Sequence, residues 1–129
     1  MSLGRVTPTI AVSDMTQAKA FYEGKLGLQG GEDQPDGGHE YPCAGGTSMH
    51  IYPSPANAGK SPATVAAFET DDADGTVDEL TGNGVVFEQY GEPFNTNEKG
   101  IFDMGGQRGG WFKDPDGNIL AVFELPAAP

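Results

Sequence analysis

One unit occurs twice in this chain, and that repetition limits the folds open to it more than any compositional figure. In the first copy Val6, Ile10 and Val12 alternate with Thr7, Thr9 and Ala11, the period of a half-buried strand. Pro8 suits an edge or first position of that strand. Asp14 then stands as a helix N-cap, with Gln17 three places on as its capping-box partner. Met15, Ala18, Phe21, Tyr22 and Leu26 fall on one face of a helix that Gly27 is placed to end. The second copy begins with Val65–Thr70 as a strand and Asp71-Asp72 as a cap. Its helix face carries Ala73, Val77 and Leu80, with Gly82 and Gly84 as the stop. Laying Val12-Ser13-Asp14 on Thr70-Asp71-Asp72 superposes strand, cap and helix.

Strand-like runs follow each helix. In the first half they are Leu28–Gly30, Glu40–Ala44 and Thr47–Tyr52. In the second they are Val85–Tyr90, a run within Ile101–Lys113, and Ile119–Leu125. Asp114-Pro115-Asp116-Gly117-Asn118 reads as the turn of a closing hairpin: Asp114 can bond its own downstream backbone, Pro115 presets φ, and Gly117 supplies a positive φ. The 20 glycines and 10 prolines are spread between these runs as turn punctuation. The fold class expected is α+β: two βαβββ modules forming curved mixed sheets around a cavity, with the helices outside. The chain reads as a single domain, residues 1–129, with halves at 5–53 and 62–125 and a linker at 54–61.

Acidic residues outnumber basic ones 19 to 7, for a formal charge of −12. Such a field repels a phosphate backbone, and no Lys/Arg cluster offsets it, so nucleic acid is not an expected partner. The same field favours a cationic small molecule. The single cysteine, Cys43, excludes an internal disulfide and a multi-cysteine metal site, and it reads as a small apolar residue. No apolar run reaches the length of a membrane span, so no membrane partner is expected and the location expected is cytoplasmic.

The segments Ile10-Ala11-Val12-Ser13-Asp14, Phe21-Tyr22, Leu26-Gly27 and Trp111-Phe112-Lys113-Asp114-Pro115-Asp116-Gly117-Asn118 resemble the vicinal oxygen chelate superfamily. That superfamily includes glyoxalase I, extradiol dioxygenases, and fosfomycin- and bleomycin-resistance proteins. The resemblance implies the paired-module fold, a homodimer, and in catalytic members a divalent metal held by His, Gln or Glu side chains of both halves. The first ligand position implied falls five residues before Val12, at Thr7. Its counterpart in the second half is Val65, and the position four after Gly117 is Ala121. Valine and alanine have no donor atom, and threonine is not an ordinary ligand of such sites. His50 occupies or adjoins the remaining position.

No bound metal or other cofactor is therefore expected; a divalent metal held partly by His50 is the alternative. If strand alternation holds, the cavity side carries Thr7, Thr9, Ala11, Ser48, His50, Tyr52, Val65, Ala67, Glu69, Trp111, Ile119, Ala121 and Phe123. Their neighbours Ile10, Val12, Met49, Ile51, Phe68, Phe112, Leu120 and Val122 belong under the helices. Thr7, Tyr52, Glu69, Trp111 and Phe123 are the expected binding residues, with Trp111 and Tyr52 suited to stack on a flat or cationic ligand. His50 is the candidate catalytic residue, with Glu69 as its orienting partner. The resulting expectation is a metal-independent small-molecule-binding protein. The alternatives are a divalent-metal lyase or dioxygenase of the glyoxalase class, or a metal-free isomerase or lyase built on His50. Arg108, in the glycine-rich run Gly105–Gly110, reads as a loop residue able to meet an anion, and the loop Gly91–Gly100 as a cover for the pocket.

Overall fold

The computed structural model describes residues 2–124. The elements in chain order are β1 (Thr9–Val12), α1 (Met15–Gly24), β2 (Glu32–Asp33), β3 (His39–Pro42) and β4 (Ser48–Pro53), then β5 (Thr64–Glu69), α2 (Ala73–Gly82), β6 (Phe102–Met104), β7 (Gln107–Lys113) and β8 (Ile119–Glu124). They form two four-stranded mixed sheets, ordered β1-β4-β3-β2 and β5-β8-β7-β6. In each sheet the strand before the helix runs parallel to the last strand of its module, and the remaining pairs are antiparallel. This is the expected βαβββ plan, made twice.

Both helices start as their sequences require. Asp14 accepts from the Gln17 backbone N–H at 3.1 Å, and Asp72 from that of Gly75 at 3.0 Å. Ala18, Phe21 and Tyr22 of α1 are buried, as are Ala73, Val77 and Leu80 of α2. Gly27, at φ +79°, turns the chain out of α1. The alternation along the strands also holds. Ile10, Val12, Met49, Ile51, Phe112, Leu120 and Val122 are buried in a single core shared by both modules and both helices. Their alternates Ala11, His50, Tyr52, Trp111, Ile119 and Phe123 are only half-buried. Val65, expected on the cavity side, packs against the core instead, because the register of β5 shifts between Thr64 and Ala66. The molecule thus has one packed layer and, on the other side of its sheets, a concave face left partly open.

Three strand expectations are corrected. Leu28–Gly30 forms no strand; β2 begins later and is two residues long. Gly30 and Gly31 sit at φ +74° and +84°, outside the range a strand ladder tolerates. Val85–Tyr90 is not a strand either. It touches β7 through one bridge, Phe87 to Phe112, and a Glu88 N–H bond to Trp111 O at 2.8 Å. The reason lies at the outer edge of β7: its first half is already paired with β6, so only the second half is free. Finally, the region Ile101–Lys113 holds two strands, and the glycine-rich run is their turn plus the start of β7. Gly105 and Gly106 take positive φ, whereas Gly109 and Gly110 lie in the ladder. The last strand was expected to reach Leu125, which lies outside the described residues.

The closing hairpin fastens the two modules together. Asp114 is buried and its Oδ1 accepts from the backbone N–H groups of Asp116 and Asn118, both at 2.9 Å. Its Oδ2 accepts from Tyr22 Oη of α1 and from Asn118 Nδ2, both at 2.8 Å. Burial first, then the adjacent Asp114 carboxylate, hold the Tyr22 phenol far above its ordinary range, so it remains a donor. Asn118 also donates to Ala11 O of β1 at 2.8 Å and accepts from the Gly59 N–H at 3.0 Å. Asp116 accepts from Ser13 N–H and Oγ–H at the start of α1. Among the described residues, no helix is long and apolar enough to cross a membrane.

Candidate functional site

The concave face differs in chemistry from one sheet to the other. On the first sheet β4 presents Ser48, His50 and Tyr52, flanked by Thr9 and Ala11 of β1 on one side and Glu40 of β3 on the other. Arg5 reaches in from the segment before β1, donating from Nη2 to Ser48 Oγ at 2.5 Å and lying 3.8 Å from Glu40. Thr7 Oγ1 lies 3.4 Å from the same serine hydroxyl. His50 is mostly buried, and its ring stands 6.0 Å from that of Tyr52. Its Nε2 is shielded from solvent and makes no hydrogen bond among the described residues. The Asp36 carboxylate lies 3.2 Å from that nitrogen, close enough for charge attraction but outside hydrogen-bond geometry. Asp36 is held by a turn in which its Oδ1 accepts from the Gly38 N–H at 2.8 Å. Gly38 is required there: a Cβ would strike Ile51 O and stand 2.8 Å from His50 Nε2.

On the second sheet the concave face is aromatic. Trp111 stacks on Phe102 with centroids 4.7 Å apart and meets the edges of Phe94 at 4.8 Å and Tyr90 at 5.4 Å. Trp111, Tyr90 and Phe94 line a cavity of about 270 Å³ with Ile119 and residues 62–64. Phe94 belongs to the loop Gly91–Gly100, so that loop does lie over the Trp111 end of the face. A larger cavity of about 510 Å³ opens where the two sheets meet. Val6, Pro8 and Ser48 wall it on one side, and Ala67, Glu69 and Phe123 on the other.

The expected binding residues therefore fall into three places. Glu69 and Phe123 share the larger cavity, Trp111 lines the smaller one, and Thr7 and Tyr52 flank the polar cluster on the first sheet. The carboxylate brought to His50 is that of Asp36; Glu69 stands on β5 in the other sheet. Glu124 does not face the cavity, because its Oε2 accepts from the Ala73 N–H at the start of α2. Arg108 is not a loop residue: it lies in β7, where its two terminal guanidinium nitrogens donate to Asp74 of α2, which raises its already high pKa. Asp36, Phe102, Tyr90 and Phe94 escaped the sequence reading. Asp36 is hidden in the turn Pro35-Asp36-Gly37-Gly38, and the aromatics sit in or next to a loop with no periodicity to mark a facing side chain.

Of the positions where the resemblance implies metal ligands, His50, Val65 and Ala121 lie on strands, whereas Thr7 precedes β1. Ala121 pairs laterally with Ala67 and Trp111 and is buried among carbon atoms. Among the described residues no three His, Cys, Asp or Glu side chains gather as a metal site would require. The side chains at these positions do not fit a three-ligand metal centre.

Comparison with known proteins matches this fold and these motifs. A family model described as glyoxalase/bleomycin resistance protein/dioxygenase superfamily matches residues 2–122. An uncharacterized protein of Bacillus subtilis (strain 168), YetH, is 32% identical over 124 residues, covering 92% of this chain and 95% of its own. The crystal structure of a superfamily member from Sphaerobacter thermophilus has a TM-score of 0.72 at 26% identity, covering 96% of this chain and 98% of that one. That of TnmS3, an antibiotic-binding protein from Streptomyces sp. CB03234, has a TM-score of 0.69 at 24% identity and covers 98% of this chain and 99% of its own. With the paired modules, the stapling hairpin and the open concave face, these matches place the chain in the glyoxalase/bleomycin resistance protein/dioxygenase superfamily.

Proposed function

We propose that the protein binds a small, flat, cationic molecule on its concave face, without a metal, and that it does so as a homodimer. The observation that carries this reading is the aromatic group around Trp111 beside a cavity, on a chain of net charge −12. Indole faces attract cations, and an acidic surface concentrates them. Thr7, Val65 and Ala121 support metal independence, because two of them have no donor atom and the third is a poor one. TnmS3 supports the binding role by analogy of fold alone. The exposed Thr9, Ala67 and Glu69 leave the concave face without a cover, and a second copy of the chain would supply one.

Thermal shift and calorimetry with planar cations and their neutral isosteres test the binding. The cation is expected to stabilise the protein more, with no change after chelator treatment. Trp111→Ala should weaken binding by about thirtyfold or more, the scale of an aromatic anchor. Stabilisation by anions alone, or loss of binding after chelation, would overturn the reading. Light scattering of the purified protein tests the dimer, and a monomer at micromolar concentration would refute it.

A second reading rests on His50. A shielded imidazole nitrogen that makes no hydrogen bond among the described residues, with a carboxylate 3.2 Å away, suits the general base of a metal-free isomerase or lyase. His50→Gln should then abolish turnover of a bound substrate while leaving binding and folding intact. Undiminished turnover in that variant would exclude it.

A further inference from the structure

We infer a second small-molecule site on the opposite side of the protein, in the cleft between α1 and residues 84–88, that takes an organic anion with an apolar body. The cleft has a volume of about 480 Å³, within the range of small-ligand sites. It shares no lining residue with the concave-face cavities.

Its cationic group is Lys25. The chain has 7 basic residues against 19 acidic ones, and most of the former are engaged. Arg5 lies beside Glu40, Lys19 beside Asp33, Lys99 beside Asp78, Arg108 beside Asp74, and Lys113 beside Glu88. Lys25 has no carboxylate within 4.0 Å among the described residues, despite the excess of acids. Its ammonium instead lies 5.9 Å from the centroid of the Phe21 ring at the cleft wall, and its stem lies against Gly84.

The acidic groups of the cleft are already committed. Both oxygens of Asp114 accept hydrogen bonds within the hairpin staple. Glu88 pairs with Lys113 at 3.2 Å. What remains available is one ammonium above an apolar surface made by Ala20, Phe21, Val86 and Pro115. Val86 is 77% exposed, and an apolar body in the cleft would cover it. A cation at one end of an apolar surface matches a carboxylate or sulfonate on a hydrocarbon or aryl group.

Octanoate, octylammonium and 1-octanol carry one chain length with three head groups, and amide chemical shifts of labelled protein report where each binds. Octanoate is expected to shift residues 20–25 and 84–88 and to bind about tenfold more tightly than the other two. Lys25→Gln should remove that preference, Lys25→Arg should keep it, and Lys60→Gln, which changes the net charge equally outside the cleft, should leave it intact. The inference is overturned if octanol or octylammonium binds as well as octanoate, if Lys25→Gln has no effect, or if the shifts map to His50 or Trp111. Because the concave face is read as a site for cations, failure here leaves that reading standing, and the reverse also holds.

Discussion

The two modules share a backbone plan and differ in what they do with it. The concave face of the first sheet is polar, with Arg5, Thr7, Ser48 and His50 grouped about β4. The corresponding face of the second is aromatic, with Trp111 packed among Tyr90, Phe94 and Phe102. Their closing turns differ as well. The turn between β3 and β4 is mostly exposed and, among the described residues, bonds within itself and to the end of β3: Cys43 N–H to Thr47 O at 2.8 Å, Thr47 Oγ1 to Ala44 O at 2.6 Å and Cys43 Sγ to Tyr41 O. The turn between β7 and β8 buries Asp114 and Asn118 at its two ends and bonds across to α1, β1 and the linker. A duplicated fold thus provides two faces of different chemistry, while a single turn holds the pair in register.

The sharpest way to break this comparison is Asp114→Ala. It leaves Tyr22 Oη buried without its acceptor and removes the acceptor of the Asp116 and Asn118 backbone N–H groups, and loss of about 3 kcal/mol or more is expected in urea denaturation. An effect no larger than that of a surface substitution would mean that the turn does not staple the modules. Next comes Gly109→Ala, where a Cβ would fall on Val122 O and lie 2.9 Å from Phe123 Cα. Rigid backbone cannot yield there, so a cost of about 1–3 kcal/mol is expected, measured the same way. Thr47→Ala, in the exposed turn of the first module, should cost only about 0.5 kcal/mol. Equal losses for Thr47→Ala and Asp114→Ala would erase the distinction between the turns.

The mildest test concerns the first module alone and depends on pH. The hydrogen bond from His39 first, and then Lys19, lower the pKa of Asp33 below its ordinary value of 3.8. A carboxyl whose pKa falls on folding contributes stability above its unfolded pKa and loses it as pH drops through the folded one. Asp33→Asn should therefore lower the melting temperature slightly near pH 6, and the difference should vanish as the pH falls below 3.8. A difference that persists in acid would assign the effect to packing and not to charge.

Much of the fold was legible because local chemistry set it. Asp14 and Asp72 cap their helices through the same short-range bond, and strand alternation separated Ile51 from His50 and Leu120 from Ala121 without any knowledge of the tertiary structure. Failures occurred where pairing depended on a distant competitor. Val85–Tyr90 has strand composition, but the edge it would pair with is half occupied by β6, whose position no local pattern encodes. Glu69 was expected to orient His50 because both lie on cavity-facing strands. The carboxylate beside His50 comes instead from Asp36, in a turn whose residues announce only a turn.

The sequence alone determined the duplicated βαβββ plan, the two faces of most strands and the register of the closing hairpin. These depend on residue type, on periods of two and 3.6, and on spacing along the chain, and all of them can be counted. Only the tertiary structure decided that Asp36 faces His50, that Phe94 and Phe102 surround Trp111, and that Lys25 stands without an acidic partner among the described residues. Those facts depend on which loops and sheet edges meet in space, and chain spacing carries no information about groups joined only by the fold.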